Sequence, residues 1–174
     1  TFAEGTTVDG TARIYYGVGD EHLMDFYSIQ DIQKSTTTII GSNYVDLTGS
    51  LAVDPIFERM SPNERGTVTV TVTNEGNNAI TENIDITIYA SVDEAVQAGD
   101  IVLKQLAGQA ISLEAGQSQN IITAITLSGD IAAGTYNILA VIDSGDVVDE
   151  TSEDNNLCIG DRQLNVVWEF GRVS

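Results

Sequence analysis

The segment Gly66–Thr73 has the pattern that most constrains the fold of this chain. Threonine occupies positions 67, 69, 71 and 73, and valine occupies positions 68, 70 and 72. Successive side chains of a β-strand point to opposite faces, so this alternation puts every valine on one face and every threonine on the other. The segment is therefore predicted to be a strand of an antiparallel sheet, with its valine face in the core and its threonine face in solvent.

Other short runs of β-favouring residues have the same period of two and are separated by Gly, Asn, Asp and Pro. The sixth run is apolar on both faces, which predicts a central position in its sheet. The last run is predicted to bury Leu164, Val166 and Trp168. The short segment Val92–Gly99 is compatible with one helical turn. The seven predicted strands are Tyr44–Ala52, Gly66–Thr73, Asn83–Ala90, Ile101–Leu113, Asn120–Ser128, Thr135–Ile142 and Arg162–Phe170. Seven strands at this spacing predict an all-β fold, a β-sandwich over residues 44–174.

Residues 1–43 form an N-terminal extension with two further candidate strands, Thr11–Val18 and Met24–Ile29. About 40 residues rarely supply a core of their own, so the extension is expected to depend on another surface. It either adds strands or a strap to its own sandwich, or it completes an open sheet edge of a neighbouring subunit. Its aromatic residues either anchor it to its own sandwich or form an intersubunit contact. These candidate contact residues are Tyr15, Tyr16, Phe26 and Tyr27.

The chain carries 26 acidic residues against 7 basic ones, a formal net charge of −19. Such a charge repels phosphate backbones and anionic lipids, so neither nucleic acid nor direct membrane insertion is expected. No apolar run approaches the roughly 20 residues that a membrane-spanning helix needs. The excess of carboxylates requires screening salt, divalent cations or a large solvated surface, and each of these suits an extracellular setting.

Catalytic chemistry has few candidate residues. The one cysteine, Cys158, cannot form an intrachain disulfide and is expected to be a small buried hydrophobe, because Leu157 and Ile159 flank it. The one histidine, His22, would act in nucleophilic catalysis only against a nucleophile supplied by the sandwich. Since Trp168 is predicted to lie in the core, few aromatic residues remain to line a sugar cleft. No catalytic residue is predicted.

The segment from Asp143 to Asp161 contains seven carboxylates and neither Lys nor Arg. It is either a solvated acidic turn or a calcium site, because calcium takes six to eight oxygen ligands with loose geometry. The spacing does not match an EF-hand. Asn155 and Asn156 are expected to bond their own backbone and fix a turn. The candidate calcium ligands are Asp143, Asp146, Asp149, Glu150, Glu153 and Asp154. Asp93, Glu94 and Asp100 form a smaller acidic group, expected to be a solvated loop rather than a metal site.

Residues 44–168 resemble the CARDB family, the cell adhesion related domain found in bacteria. Six blocks occur in the family's order, among them a G-x-x-V-x-V-x-V-x-N-x-G strand and turn and a closing v.E…E.NN pattern. The blocks are Tyr44–Leu47, Gly66–Gly76, Ile88–Asp93, Leu113–Gly116, Ala133–Tyr136 and Val141–Asn156. The resemblance implies an immunoglobulin-like seven-stranded sandwich on bacterial or archaeal surface and secreted proteins, without catalytic residues. Residues 1–43 lie outside it.

The expected function is a non-catalytic structural or adhesion module of an extracellular surface protein, with calcium as its one candidate cofactor. Its expected partners are another protein, a second copy of the chain or a cell-surface glycan. One alternative is a self-assembling subunit of a pilus-like filament or surface layer, in which the extension pairs with the next sandwich. Another is a secreted, carbohydrate-active accessory domain.

Overall fold

The computed structural model describes residues 43–168. Several predictions fall outside these residues: the strands Thr11–Val18 and Met24–Ile29, the histidine His22, and the contact residues Tyr15, Tyr16, Phe26 and Tyr27. They stay predictions.

The described part of the chain is a succession of β-strands, and each of the seven strands predicted for it is confirmed. The last strand begins earlier than predicted, at Leu157, and ends at Val166. The strands are β1 Leu47–Val53, β2 Arg65–Asn74, β3 Ile80–Ser91, β4 Ile101–Leu113, β5 Ser118–Thr126, β6 Gly134–Ile142 and β7 Leu157–Val166. Within residues 43–168 no helix has the length and hydropathy to span a membrane.

The strands form two antiparallel layers joined at one edge. One layer has the order β5-β2-β1, and the other has the order β4-β3-β6-β7. A parallel bridge between Leu51 of β1 and Gly160 of β7 connects the two, and Met60, between β1 and β2, forms a further parallel bridge with Val166 of β7. This arrangement confirms the immunoglobulin-like sandwich, and β6 lies between β3 and β7, centrally in its layer as its two apolar faces predicted.

The core lies between the two layers and is built by the alternating strands. Val68, Val70 and Val72 of β2 are at most 1% exposed, and the isoleucines at positions 84, 86 and 88 of β3 are fully buried. The threonines of β2 lie on the opposite face, exposed or half-buried. The period of two therefore decides which side chains are inside and which remain available outside.

Two local predictions are wrong. Trp168 is 48% exposed, because β7 ends at Val166 and the alternation stops with the strand. Its indole Nε1 donates to the carbonyl oxygen of Ile131 at 3.2 Å. The segment Val92–Gly99 makes bends and a turn instead of a helical turn.

The helical turn lies instead between β1 and β2, as a 3₁₀ helix over Pro55–Glu58. Asp54 caps it by accepting a hydrogen bond from the amide of Ile56 at 3.0 Å. Proline at the first position has no amide hydrogen to lose and a backbone angle suited to a helix. The turn buries Phe57 completely and so closes one end of the core.

The approach of β1 to β2 generates a stability prediction. A Cβ atom at Gly49 would lie 2.0 Å from the carbonyl oxygen of Thr71 and 2.7 Å from Cδ1 of Ile142. Since the first contact is with backbone, Gly49→Ala must separate the strands, and we expect it to lower the free energy of unfolding by about 3 kcal/mol. Ser50→Ala, at the exposed neighbouring position, should change it by less than about 0.5 kcal/mol. Urea denaturation measures both, and equal midpoints for the two variants would contradict the prediction.

Candidate cation site in the loop between β6 and β7

The loop of residues 143–156, which connects β6 to β7, folds back over the start of β1. The amide of Thr151 donates to the carbonyl oxygen of Val45 at 3.0 Å. The side chain of Asn155 donates to Oδ1 of Asp46 at 2.9 Å. The amide of Leu47 donates to Oε2 of Glu150. The acidic segment is thus attached to the residues through which the chain enters the sandwich.

Asp143 begins this loop with a buried carboxylate, only 4% exposed. Its Oδ2 accepts hydrogen bonds from the amides of Val147 at 3.0 Å and Val148 at 2.7 Å. Asp143 and Asp146 both have positive φ angles, 48° and 52°, and Asp146 donates its amide to the carbonyl oxygen of Asp143 at 2.9 Å. This tight turn holds the carboxylate of Asp143 in the interior instead of in solvent.

Asn156 connects two carboxylates of the same loop. It is 5% exposed, and its Nδ2 donates to Oε1 of Glu150 and to Oε2 of Glu153, both at 3.1 Å. The main-chain carbonyl oxygen of Asn156 accepts a hydrogen bond from the amide of Ile142 at 2.9 Å, which fixes Asn156 against the end of β6. One neutral amide therefore bridges two groups of like charge.

Placing these carboxylates close together and partly out of water is unfavourable, and this shows in the pKa of Glu150. Burial raises the pKa of Glu150 to about 7, and the neighbouring Glu153 and Asp143 carboxylates add to the rise. The hydrogen bonds from Leu47 and Asn156 oppose the rise in pKa but do not cancel it. Above about pH 7, where Glu150 is ionised, the loop thus holds more negative charge than its own hydrogen bonds compensate.

Three side-chain oxygens of this loop are buried without a hydrogen-bond partner: Oδ1 of Asp143, Oδ1 of Asn155 and Oδ1 of Asn156. Among residues 43–168, every buried side-chain nitrogen or oxygen found without a partner belongs to this loop. Buried polar atoms are nearly always bonded, and an unsatisfied one costs about 1–3 kcal/mol. All three are acceptors, so they suit a cation or a donor such as water.

The carboxylates alone do not form a complete metal site. Within residues 43–168, no group of three or more Asp, Glu, His or Cys side chains is close enough to hold a metal ion. A cation in this loop would therefore need amide or main-chain oxygens in addition to carboxylates. Calcium accepts such mixed oxygen ligands, whereas zinc prefers nitrogen and sulfur.

The structure separates the six predicted ligands into two groups. Glu150 and Glu153 share the buried amide of Asn156, and Asp143 acts on Glu150 only through its charge. Asp146, Asp149 and Asp154 are exposed and make no contact with that amide. The seventh carboxylate of the acidic segment, Asp161, belongs to β7 and accepts the amide of Val53 at 2.8 Å.

The prediction for Asn155 and Asn156 is wrong, because their side chains bond carboxylates and not their own backbone. Asp46 was missed. It is 109 residues away from Asn155 in the sequence, and only the sandwich topology brings the two together.

The smaller acidic group lies in the loop between β3 and β4. Asp93 accepts the amide of Ala95 at 3.0 Å and the side-chain amide of Gln97 at 2.8 Å. Asp100 accepts the main-chain amide of Gln97 at 2.8 Å, and Glu94 is exposed. Asp93 and Asp100 thus bond donors of their own loop, beside an open cavity of about 290 Å³.

Comparison with known proteins gives a family and a fold. The sequence model of the CARDB family matches residues 45–159. The chain is similar to the CARDB domain of a Pyrococcus furiosus protein, crystallised in complex with di-metal ions, with 20% identity and a TM-score of 0.53 over 74% of this chain and 99% of that domain. The solution structure of the same domain gives 20% identity and a TM-score of 0.50 over 74% of this chain and 100% of that domain. No curated protein sequence matches the chain.

The raised pKa of Glu150 generates a prediction for the cation-free protein. Its folded-state pKa of about 7 lies above its ordinary value of 4.5, so the folded state takes up the proton more readily than the unfolded state. The resulting stability is complete below about pH 4.5 and is lost as the pH rises through about 7, an effect on the order of 2 kcal/mol. Glu150→Gln should remove this part of the pH dependence, since its amide carbonyl can still accept from Leu47.

Urea denaturation at several pH values between 5 and 8, in buffer with a chelator, measures the effect. The control is Asp149→Asn, which removes one charge from an exposed position of the same loop and should keep the full pH dependence. Identical pH profiles for Glu150→Gln and the unchanged protein would contradict the assigned pKa.

Proposed function

Because the chain belongs to the CARDB family of cell-surface, adhesion-related domains, we propose that it is a non-catalytic structural module of an extracellular protein whose loop between β6 and β7 binds calcium. The observation that carries the proposal is the set of three unpartnered, buried oxygens in that loop. They lie in the same loop as Glu150 and Glu153, which supply negative charge. Calcium prefers oxygen ligands and accepts both neutral amide oxygens and charged carboxylate oxygens.

A rotation of the side-chain amide of Asn156 would allow the loop to bind a cation. Its amide now donates to Glu150 and Glu153, while its own oxygen lacks a partner. The oxygen and nitrogen of an amide occupy nearly equivalent positions, so a rotation of the amide by 180° turns the oxygen towards both carboxylates. That orientation is unfavourable without a cation and favourable with one. Calcium would thus be bound by Glu150, Glu153 and Asn156.

The location of the loop explains why a cation would matter to a structural module. The carbonyl oxygen of Tyr44 accepts the amides of Asn77 and Asn78, both at 3.1 Å, so the turn after β2 holds the entering chain on one side. The loop holds it on the other side, through Val45, Asp46 and Leu47. A cation that stiffens the loop would stiffen residues 44–47, through which the chain enters the sandwich.

The state of Cys158 supports a role without covalent catalysis. It is 3% exposed, as the sequence predicted for a small buried hydrophobe. Burial raises the pKa of its thiol to about 11, so the thiolate form is scarce near neutral pH. Since the thiolate is the reactive form, this cysteine is a poor nucleophile.

Metal binding by a related fold also supports the proposal. The Pyrococcus furiosus CARDB domain was crystallised in complex with di-metal ions. At 20% identity this likeness concerns the fold, and the ligands proposed for the present chain come from its own loop.

Calorimetric titration of the whole chain with calcium tests the proposal. We expect a dissociation constant of about 10⁻⁴ to 10⁻³ M, the range of extracellular calcium modules. At 100 times the dissociation constant, calcium would stabilise the folded state by about 2.7 kcal/mol and raise the melting temperature by several degrees. Glu150→Gln should abolish the heat and the shift. Asp149→Asn, the charge-matched control, should retain both.

Two outcomes would contradict the calcium site. The first is the absence of heat and of a melting shift with calcium in excess. The second is an equal loss of binding in Glu150→Gln and Asp149→Asn, which would indicate diffuse screening of the acidic surface in place of a defined site. Magnesium at the same concentration should give a smaller shift, since it demands a stricter octahedral geometry.

A further inference from the structure

The strand β5 is an edge of the sandwich, and its sequence lacks the features that usually protect an edge. It pairs with β2 over nine consecutive residues without a register shift. Within residues 43–168, no strand pairs with its other side. From Ser118 to Thr126 it contains no ionisable residue, no proline and no glycine. The outward amides and carbonyl groups of such a strand can form a second ladder of hydrogen bonds.

The edge strand of the other layer, β4, is protected. It carries Lys104, its pairing with β3 is interrupted by two register shifts, and Gly108 has a positive φ of 61°. Charged side chains and irregular pairing are means by which natural sheets prevent further strands from adding to an edge. Since the contrast is between two edges of one molecule, it does not arise from the overall composition of the chain.

The core is incompletely covered on the side of the sandwich where these two edges lie. The layers are joined at β1 and β7, so β4 and β5 lie together on the opposite side, where Nε2 of Gln119 donates to the carbonyl oxygen of Ala110 at 3.0 Å. Further along β4, Leu103 and Leu106 pack against the core but are only half-buried. On β5, Thr123 is half-buried between the buried positions 121 and 125.

The unequal number of strands in the two layers explains this gap. The layer of β5 has three strands and the layer of β4 has four. A fourth strand beside β5 would therefore lie opposite β4 and cover Leu103 and Leu106. Such a strand would remove apolar area from water in addition to pairing the backbone of β5.

Carboxylates lie beyond both ends of this neutral edge. Glu114 is exposed in the turn before β5, and Asp130 is exposed in the loop after it. In an antiparallel pair of two β5 strands, the Glu114 end of one copy would meet the Asp130 end of the other, so that like charges would face each other. A strand with basic residues at its ends would place opposite charges there instead.

We propose that β5 accepts an extended segment of another protein as a fourth strand of its layer, and that this segment has apolar residues at alternate positions and basic residues at both ends. The apolar residues would face Leu103 and Leu106. The residues between them would lie on the outer face beside Ile122, which is 68% exposed. The inference rests on the proposed role as a surface module and adds a class of partner to it, without involving the calcium loop.

Nuclear magnetic resonance of the isotope-labelled whole chain, titrated with a synthetic peptide in the presence of a chelator, tests the proposal. The peptide has six alternating valine and threonine residues with two lysines at each end, a length that matches β5 at about 3.4 Å per residue. We expect the amide signals of β5 to shift and those of β7 to stay in place. The outward amides of β5 should exchange with solvent about tenfold more slowly or less rapidly still, because the added ladder protects them.

Two control peptides separate the backbone ladder from the charge. Proline in place of two of the threonines removes two amide donors and should weaken binding about tenfold or more, although the charge is unchanged. Glutamate in place of every lysine keeps the ladder but brings like charges to Glu114 and Asp130. It should also weaken binding about tenfold at 0.1 M NaCl, and the loss should shrink at 1 M NaCl, where charges are screened.

A pair of variants locates the contact. Ile122→Lys gives β5 the kind of protection that β4 already has, and should weaken binding of the lysine peptide about tenfold or more. Val102→Lys is the matched control. Val102 is an aliphatic residue of β4, 49% exposed, so this variant adds the same charge at the other edge strand and should leave binding unchanged.

The proposal is overturned if the lysine peptide leaves the β5 signals unchanged at millimolar concentration, if the proline peptide binds equally well, or if Val102→Lys weakens binding as much as Ile122→Lys. Dimers of the chain alone that Ile122→Lys dissociates would assign the edge to a second copy, and would overturn the choice of a basic partner. These outcomes leave the calcium site untouched, since the calcium titration of Ile122→Lys should match that of the unchanged chain. Equally, loss of calcium binding in Glu150→Gln should leave peptide binding in chelator unaffected.

Discussion

The burial of two alternating apolar faces against each other is the interaction on which the rest of this structure depends. The valines of β2 and the isoleucines of β3 are buried almost completely between the layers. With one cysteine, the chain has no internal disulfide to share this task. Because the period of two assigns every second residue to the core, it also assigns the residues between them to the outer faces. The core thus determines which surfaces remain to work with: the outer faces, the edges and the loops.

The same period shows what could be predicted from the sequence and where prediction had to fail. It predicted seven strands and the buried valine face from side-chain alternation, and the apolar residues on both faces of β6 predicted its central position. It failed at Trp168, because alternation does not tell where a strand ends. The helical turn at Pro55–Glu58 depends on a cap by Asp54 and on the burial of Phe57. The alternation of apolar and polar residues indicates neither of these.

The candidate site was predictable in its composition but not in its construction. Its carboxylates are visible as a run of acidic residues, yet nothing in that run distinguishes the buried Asp143 from the exposed Asp149. The distinction arises from contacts across the fold: Glu150 meets the amide of Leu47, 103 residues earlier in the chain. Such contacts exist only because β1 and β7 lie side by side where the two layers join. The raised pKa of Glu150 is therefore a property of the topology and not of the local sequence.

The distribution of charge relates the proposed calcium site to the rest of the molecule. A net charge of −19 opposes both compaction and association, and the cost is smallest where carboxylates lie at strand ends and in loops, surrounded by water. The loop between β6 and β7 departs from that rule, because it buries Asp143 and part of Glu150, and no cationic side chain of residues 43–168 is found paired with them. A divalent cation would relieve that cost where the charge is densest. Calcium binding at the loop would thus let an acidic sandwich hold its entering chain through contacts that the loop's own charge otherwise opposes.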